Sequence, residues 1–243
     1  MKRRSFLKTA GYTAAAYITP KLSEKQTSVH EADLNSVSPE KHASVVVQDN
    51  KVYIKTHTLT AVIEKGVLTS LMSIINGEEF IENPDVNSFR ALQLLYSNNE
   101  IINVNEEKFG STETRQISDR SAEIVFHSWE GDGVLFISVD VETGDLLIEP
   151  SAYSSRPGVR ACRWSITGLK PNLELVAPFF QGIKLKLDDP LIKNMRWDWP
   201  HSWEAGLAIF QSQEGGFWVH TQDNRYRYKA IQTGLESDPF VIG

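Results

Sequence analysis

Short runs of alternating apolar and polar residues, punctuated by turn signals, dominate the chain from residue 44 onward. Ser44–Gln48 and Lys51–Lys55 are two β-rich runs around Asp49-Asn50. Leu59, Ala61 and Ile63 alternate with Thr58, Thr60 and Val62, Lys65-Gly66 turns the chain, and Val67–Ile75 follows. Asn76-Gly77 is a hairpin signal because both residues tolerate positive φ. Gly133–Val141 shows the clearest period of two, with Leu135, Ile137, Val139 and Val141 opposed to Val134, Phe136, Ser138 and Asp140. Further strands are predicted over Glu113–Ile117, Ser121–Trp129, Asp145–Pro150, Arg160–Ile166, Leu173–Pro178, Gly182–Leu187, Ala205–Gln211, Gly216–Thr221 and Arg225–Thr233. Ser88–Tyr96 fits a strand or a short helix equally. No segment sustains an amphipathic helical period, and no fixed-length repeat occurs. Short strands at roughly 8–12-residue spacing predict an all-β sandwich or barrel.

The chain has 243 residues, of which 41% are hydrophobic, enough for a real core. That length suits one large β-domain but not a β-domain plus a complete (β/α)₈ barrel, which alone needs about 250 residues. The net charge is −6, unevenly spread. Residues 1–32 hold six basic and two acidic residues, so the remainder carries 19 basic against 29 acidic, a net of −10. Such a body is a poor partner for nucleic acid, because it offers no basic stripe to release counterions.

The basic excess sits in Met1-Lys-Arg-Arg-Ser-Phe-Leu-Lys8, followed by the weakly apolar run Thr9–Ile18. This resembles a twin-arginine export signal, with Arg3 and Arg4 as the pair and Phe6 and Leu7 behind the spacer Ser5. Lys2 stands where that pattern usually has Ser or Thr. The resemblance implies a protein exported after folding by the twin-arginine machinery to the periplasm or the outside. The run is too short to span a bilayer as a helix. Residues 1–32 are therefore read as a signal segment, 33–44 as a polar linker and 45–243 as the β-domain.

The chain has no P-loop, no Gly-x-Gly-x-x-Gly, no Gly-x-Ser-x-Gly and no His-Glu-x-x-His. One cysteine, Cys162, permits no intramolecular disulfide and reads as a small buried hydrophobe. Neither a metal site nor a cofactor is predicted. The densest cluster is Met195–Trp203, where Trp197, Trp199, Trp203 and His201 accompany Arg196 and Asp198. Indole faces stack on sugar rings, and neighbouring polar groups can bond hydroxyls; the same tryptophans could equally plug the core. Glu214–Lys229 reads as a hairpin whose polar face carries His220, Asp223 and Arg225. These seven residues, Trp197, Trp199, His201, Trp203, His220, Asp223 and Arg225, are the candidates for carbohydrate or interdomain contact.

Leu59-x-Ala-x-Ile-Glu-Lys-Gly66 through Asn76-Gly-Glu-Glu-Phe-Ile81 resembles the opening hairpins of galactose-mutarotase-like β-supersandwich domains. Gly216-Phe-Trp-Val-His-Thr-Gln-Asp-Asn-Arg225, with Tyr228-Lys229-Ala230, resembles a family of bacterial probable glycoside hydrolases in which such a sandwich precedes a (β/α)₈ barrel. The resemblance spans roughly Val45–Gly243 and implies a non-catalytic sandwich leading into a catalytic barrel beyond Gly243. The mutarotase catalytic His and Glu pattern is absent, so epimerase activity is not implied. The alternative is a stand-alone exported carbohydrate-binding or structural domain. Weak binding to neutral or galactose-type glycans is the expectation.

Overall fold

The computed structural model describes residues 13–18 (backbone only), 43–84, 86, 91–104, 111–127, 131–179, 182–190, 193–222, 227–234 and 243. Every regular element among them is a β-strand. In chain order these are β1 (Thr13–Ile18), β2 (Ser44–Gln48), β3 (Lys51–Lys55), β4 (Leu59–Glu64), β5 (Val67–Ser73) and β6 (Leu92–Tyr96). There follow β7 (Ile101–Asn103), β8 (Thr112–Ser118), β9 (Ser121–Phe126), β10 (Gly131–Val139), β11 (Leu146–Ser154) and β12 (Val159–Trp164). The last are β13 (Glu174–Ala177), β14 (Ile183–Lys186), β15 (Arg196–Trp199), β16 (Leu207–Gln211), β17 (Gly216–Gln222) and β18 (Lys229–Gln232).

The pairings are antiparallel and form four sheets. Strands β2-β3-β4-β5 make a meander; β14-β13-β16-β17-β1-β11-β10-β9-β8 make the largest sheet, of nine strands; β12-β6-β7 and β15-β18 are small. The turns follow from local sequence. Asp49 and Asn50 both have positive φ, as a two-residue hairpin between the paired Gln48 and Lys51 requires. Lys65 and Gly66 do the same between Glu64 and Val67. Ser88–Tyr96 resolves as a strand over Leu92–Tyr96. Strand β7, with its short Ile101-Ile-Asn103, had no counterpart among the predicted strands.

The alternation seen in the sequence becomes the core. Ala122, Ile124 and Phe126 of β9, Leu135, Ile137 and Val139 of β10, and Leu146 and Ile148 of β11 are all buried. They join residues of the other sheets in one hydrophobic cluster. Phe217 of β17 lies between Phe210 (4.9 Å between ring centres) and Phe80 (5.3 Å). Gly66 fixes the meander against the rest: a Cβ there would stand 3.0 Å from the Phe126 ring, and its carbonyl accepts the Trp164 indole N–H at 3.0 Å. Its φ of +87° is one that other residues rarely adopt.

The β10–β11 connection carries two carboxyls held in different ways, Asp140 and Asp145. Asp140 Oδ1 accepts the Glu142 and Thr143 amides, each at 2.8 Å, which tightens the turn. Gly144 has positive φ, and a side chain there would run into the His57 imidazole. The next residue, Asp145, is only 2% exposed, and its Oδ2 has no hydrogen-bond partner. Burial pushes its carboxyl up from 3.8 to about 6. The folded state therefore favours the neutral acid. Its stabilising effect is complete below pH ~3.8 and is lost as pH rises through ~6. Asp145→Asn is thus expected to raise the melting temperature at pH 7.5, with a gain in stability of at most about 3 kcal/mol. The gain should vanish at pH 4. An equal shift at both pH values in thermal denaturation would show that the carboxyl does not titrate in this way.

Candidate binding groove

Strand β15 reads Arg-Trp-Asp-Trp, so Trp197 and Trp199 share one side and Arg196 and Asp198 the other. It pairs with β18 in the register Arg196↔Gln232, Trp197↔Ile231, Asp198↔Ala230 and Trp199↔Lys229. The sequence instead suggested that the strand after Asp223-Asn224 folds back on β17. The partners of β17 are β16 and β1.

That register sorts the tryptophans. Trp197 is 4% exposed and stacks on Phe179, with ring centres 4.2 Å apart and planes 4° from parallel. Trp203 is 1% exposed, and its indole N–H donates to the Leu207 carbonyl at 2.9 Å. The rings of Trp197 and Trp203 are packed into the core rather than open at the surface, and Trp203 backs the wall of a cavity. Trp199 is half-buried, and the Lys229 ammonium lies 3.8 Å from its ring centre. This is a cation–π contact between residues directly opposed across the ladder. His201 is exposed on the turn after β15. There Ser202 Oγ accepts the Asp198 amide at 2.9 Å.

His220 lies on the opposite side of β17 from Val219 and Thr221, stacked against Trp218 at 5.9 Å. Burial, and secondarily the Lys229 charge, hold its pKa below the ordinary histidine value. Asp223 and Arg225 lie outside the described residues, as do the export-signal residues Arg3, Arg4, Phe6 and Leu7.

Around β15 and β18 the polar side chains converge. The Tyr228 hydroxyl, on a side chain 47% exposed, donates to Asp198 Oδ1. Arg196 donates through Nε to the same oxygen at 2.9 Å and through Nη2 to the Tyr228 hydroxyl. Partial burial pushes the Asp198 carboxyl up, but Tyr228 and Arg196 outweigh it and keep it below the usual carboxylate value. Arg163 of β12 spans two sheets. Its Nη1 donates to Gln232 Oε1 at 2.9 Å, while Nε (2.9 Å) and Nη2 donate to the buried Gln93 Oε1. Gln93 in turn donates to Asn103 of β7.

Two cavities of about 170 and 270 Å³ open here, sharing Leu95, Arg163, Arg196 and Gln232 in their walls. They adjoin along these four residues as a two-part groove, each part smaller than the roughly 300–1,000 Å³ of a typical small-ligand site. The smaller cavity is walled by Trp164, Val219 and Thr221, with Tyr228 and Lys229 beside it; the larger by Arg160 and Glu100. Cys162 also lines the groove, but burial pushes its thiol up to about 12, so it carries no thiolate for nucleophilic work at neutral pH. Among the described residues no group of three His, Cys, Asp or Glu side chains could hold a metal ion.

The sequence reading missed Arg163, Gln93 and Gln232. Arg163 sits in a predicted strand, and its place between two sheets depends on long-range pairing. Comparison with known protein families gives no matching family model, and comparison with curated proteins gives no match. Among the described residues no helix is long and apolar enough to cross a membrane.

Trp197→Ala is expected to cost about 3–5 kcal/mol in urea denaturation, as for a large aromatic removed from a packed core. Trp199→Ala should cost clearly less. Equal costs for the two would show that Trp199 is as integral to the core as Trp197.

Proposed function

We propose that this chain is a carbohydrate-contacting, non-catalytic β-sandwich of the galactose-mutarotase-like kind, forming the N-terminal portion of an exported glycoside-hydrolase-like protein. One observation carries the reading. The groove gathers the exposed Tyr228 and the apolar walls of Trp164 and Val219 beside the hydrogen-bonding groups of Gln232, Arg163 and Arg196, with Asp198 bonded to Tyr228 and Arg196 outside its walls. Apolar faces with a few placed polar groups suit a sugar residue, whose ring has C–H faces and an equatorial rim of hydroxyls. A hydrolytic role for this groove is not favoured. Glycoside hydrolysis needs two carboxyls flanking the scissile bond, one of them able to give a proton. Here Asp198 is committed to Arg196 and Tyr228, and Glu100 bonds Arg156 at 2.5 Å.

The candidate contacts shift accordingly, from the tryptophan cluster as a whole to Tyr228. Titration of the intact chain with a panel of oligosaccharides in a calorimeter tests the reading. Binding is expected in the weak range typical of single-groove modules. Tyr228→Ala should lower affinity roughly tenfold, the scale of one lost aromatic contact. Its melting temperature should fall by only a few degrees, because the side chain is half exposed and its bonds to Asp198 and Arg196 are surface contacts. Silence across the panel, from a chain shown to be folded, would end the carbohydrate reading.

The export part rests on Arg3 and Arg4. Residues 1–42 fused to a folded reporter should direct it across the bacterial inner membrane, and replacing both arginines by lysine should retain it in the cytoplasm. Export that survives the double replacement would remove the twin-arginine assignment.

A further inference from the structure

The groove differs in charge from the molecule around it. The body beyond residue 32 carries a net of −10. Yet among the described residues walling the two cavities four are cationic, Arg160, Arg163, Arg196 and Lys229, and one, Glu100, is acidic. Asp198 stands beside them, within electrostatic reach of Arg160. The cations come from three separate strands, β12, β15 and β18, so chain proximity does not explain their grouping. Two of the guanidiniums are already oriented by fixed acceptors, Arg163 by Gln93 and Gln232 and Arg196 by Asp198 and Tyr228. Ligand capture therefore immobilises little further side-chain freedom. Partial burial lowers the dielectric around them and strengthens attraction to an anion.

We propose that this groove selects sugars bearing an oxyanion, a carboxylate as in a uronic acid or a sulfate ester, over neutral sugars. The selectivity rests on the carbohydrate reading of the same groove. Tyr228 and the apolar wall hold the ring, while Arg163 and Arg160 face its charged substituent across the larger cavity. The exposed Arg160 guanidinium can meet a planar carboxylate in two parallel hydrogen bonds, which a lysine cannot reproduce, while Arg163, whose nitrogens already donate to Gln93 and Gln232, adds its charge.

Calorimetric titration of the whole chain compares oligogalacturonate, a sulfated galactose oligosaccharide and a neutral galactose oligosaccharide of equal length. At least one acidic ligand is expected to bind roughly tenfold tighter than the neutral one. The advantage should shrink as salt rises from about 20 to about 300 mM. Whichever acidic arm binds tighter identifies the oxyanion. Arg160→Glu, and Arg160→Lys, which keeps the charge without the fork, should each reduce the preference and leave neutral binding unchanged, because Arg160 is exposed on the wall of the larger cavity. Equal affinity for acidic and neutral ligands would overturn the charge selection while the carbohydrate reading stood. A preference untouched in both folded variants would do the same. Absence of binding to all three would overturn both together.

Discussion

The pairing of β15 with β18 is the constraint on which the groove depends. Its register places Trp197 toward Phe179, Lys229 over the Trp199 ring and Arg196 across from Gln232. Gln232 is also the acceptor that ties Arg163 to this small sheet, so one ladder joins β12 to β15. A slip of a single residue would turn Trp197 outward and carry Arg196 toward the core. The burial of Trp197, worth several kcal/mol on the scale of large aromatics, therefore also fixes where the polar groups stand.

Net charge describes this molecule poorly at the scale of a ligand. The acidic body repels polyanions at a distance, over about a Debye length. Within the groove the nearest groups decide, and those are guanidiniums and an ammonium in a partly buried setting. The two effects act on different ligands. On the proposed reading a long polyanion would meet the whole acidic surface, whereas a short oligosaccharide with one or two charges would meet chiefly the groove. Such an arrangement would discriminate by the size of the anion as well as by its sign.

Local order was well marked in the sequence, and long-range pairing was not. The meander β2–β5 and the alternation of β10 are set by neighbours along the chain. Asp49-Asn50 and Lys65-Gly66 define their turns through positive φ at adjacent positions. The partner of β18 could not be inferred in that way. Arg225–Thr233 follows β17 closely, so a hairpin was the economical reading, yet β18 closes on β15 some thirty residues upstream. The tryptophans stay ambiguous in the sequence for a related reason. Three indoles within seven residues signal importance, but only the register separates the core indoles from Trp199. Arg163 gave no signal of its own because its acceptors lie 69 and 70 residues away.

The strand β1 links the fold to the export proposal. It pairs with β17 on one side, Thr13 to Ile18 against Gln222 to Phe217, and with β11 on the other. Both neighbours supply walls of the smaller cavity, through Val219 and Thr221 of β17 and Ile148 of β11. The same residues fall inside the segment whose paired arginines resemble an export signal. A strand bonded on both sides satisfies two rows of backbone donors and acceptors, and its removal would expose both rows as sheet edges. Transport of a folded chain, the route those arginines imply, lets the strand cross while still paired. The proposal therefore carries a structural condition. Either Thr13–Ile18 stays with the chain after export, or another segment must fill the place between β11 and β17 for the groove to keep its wall.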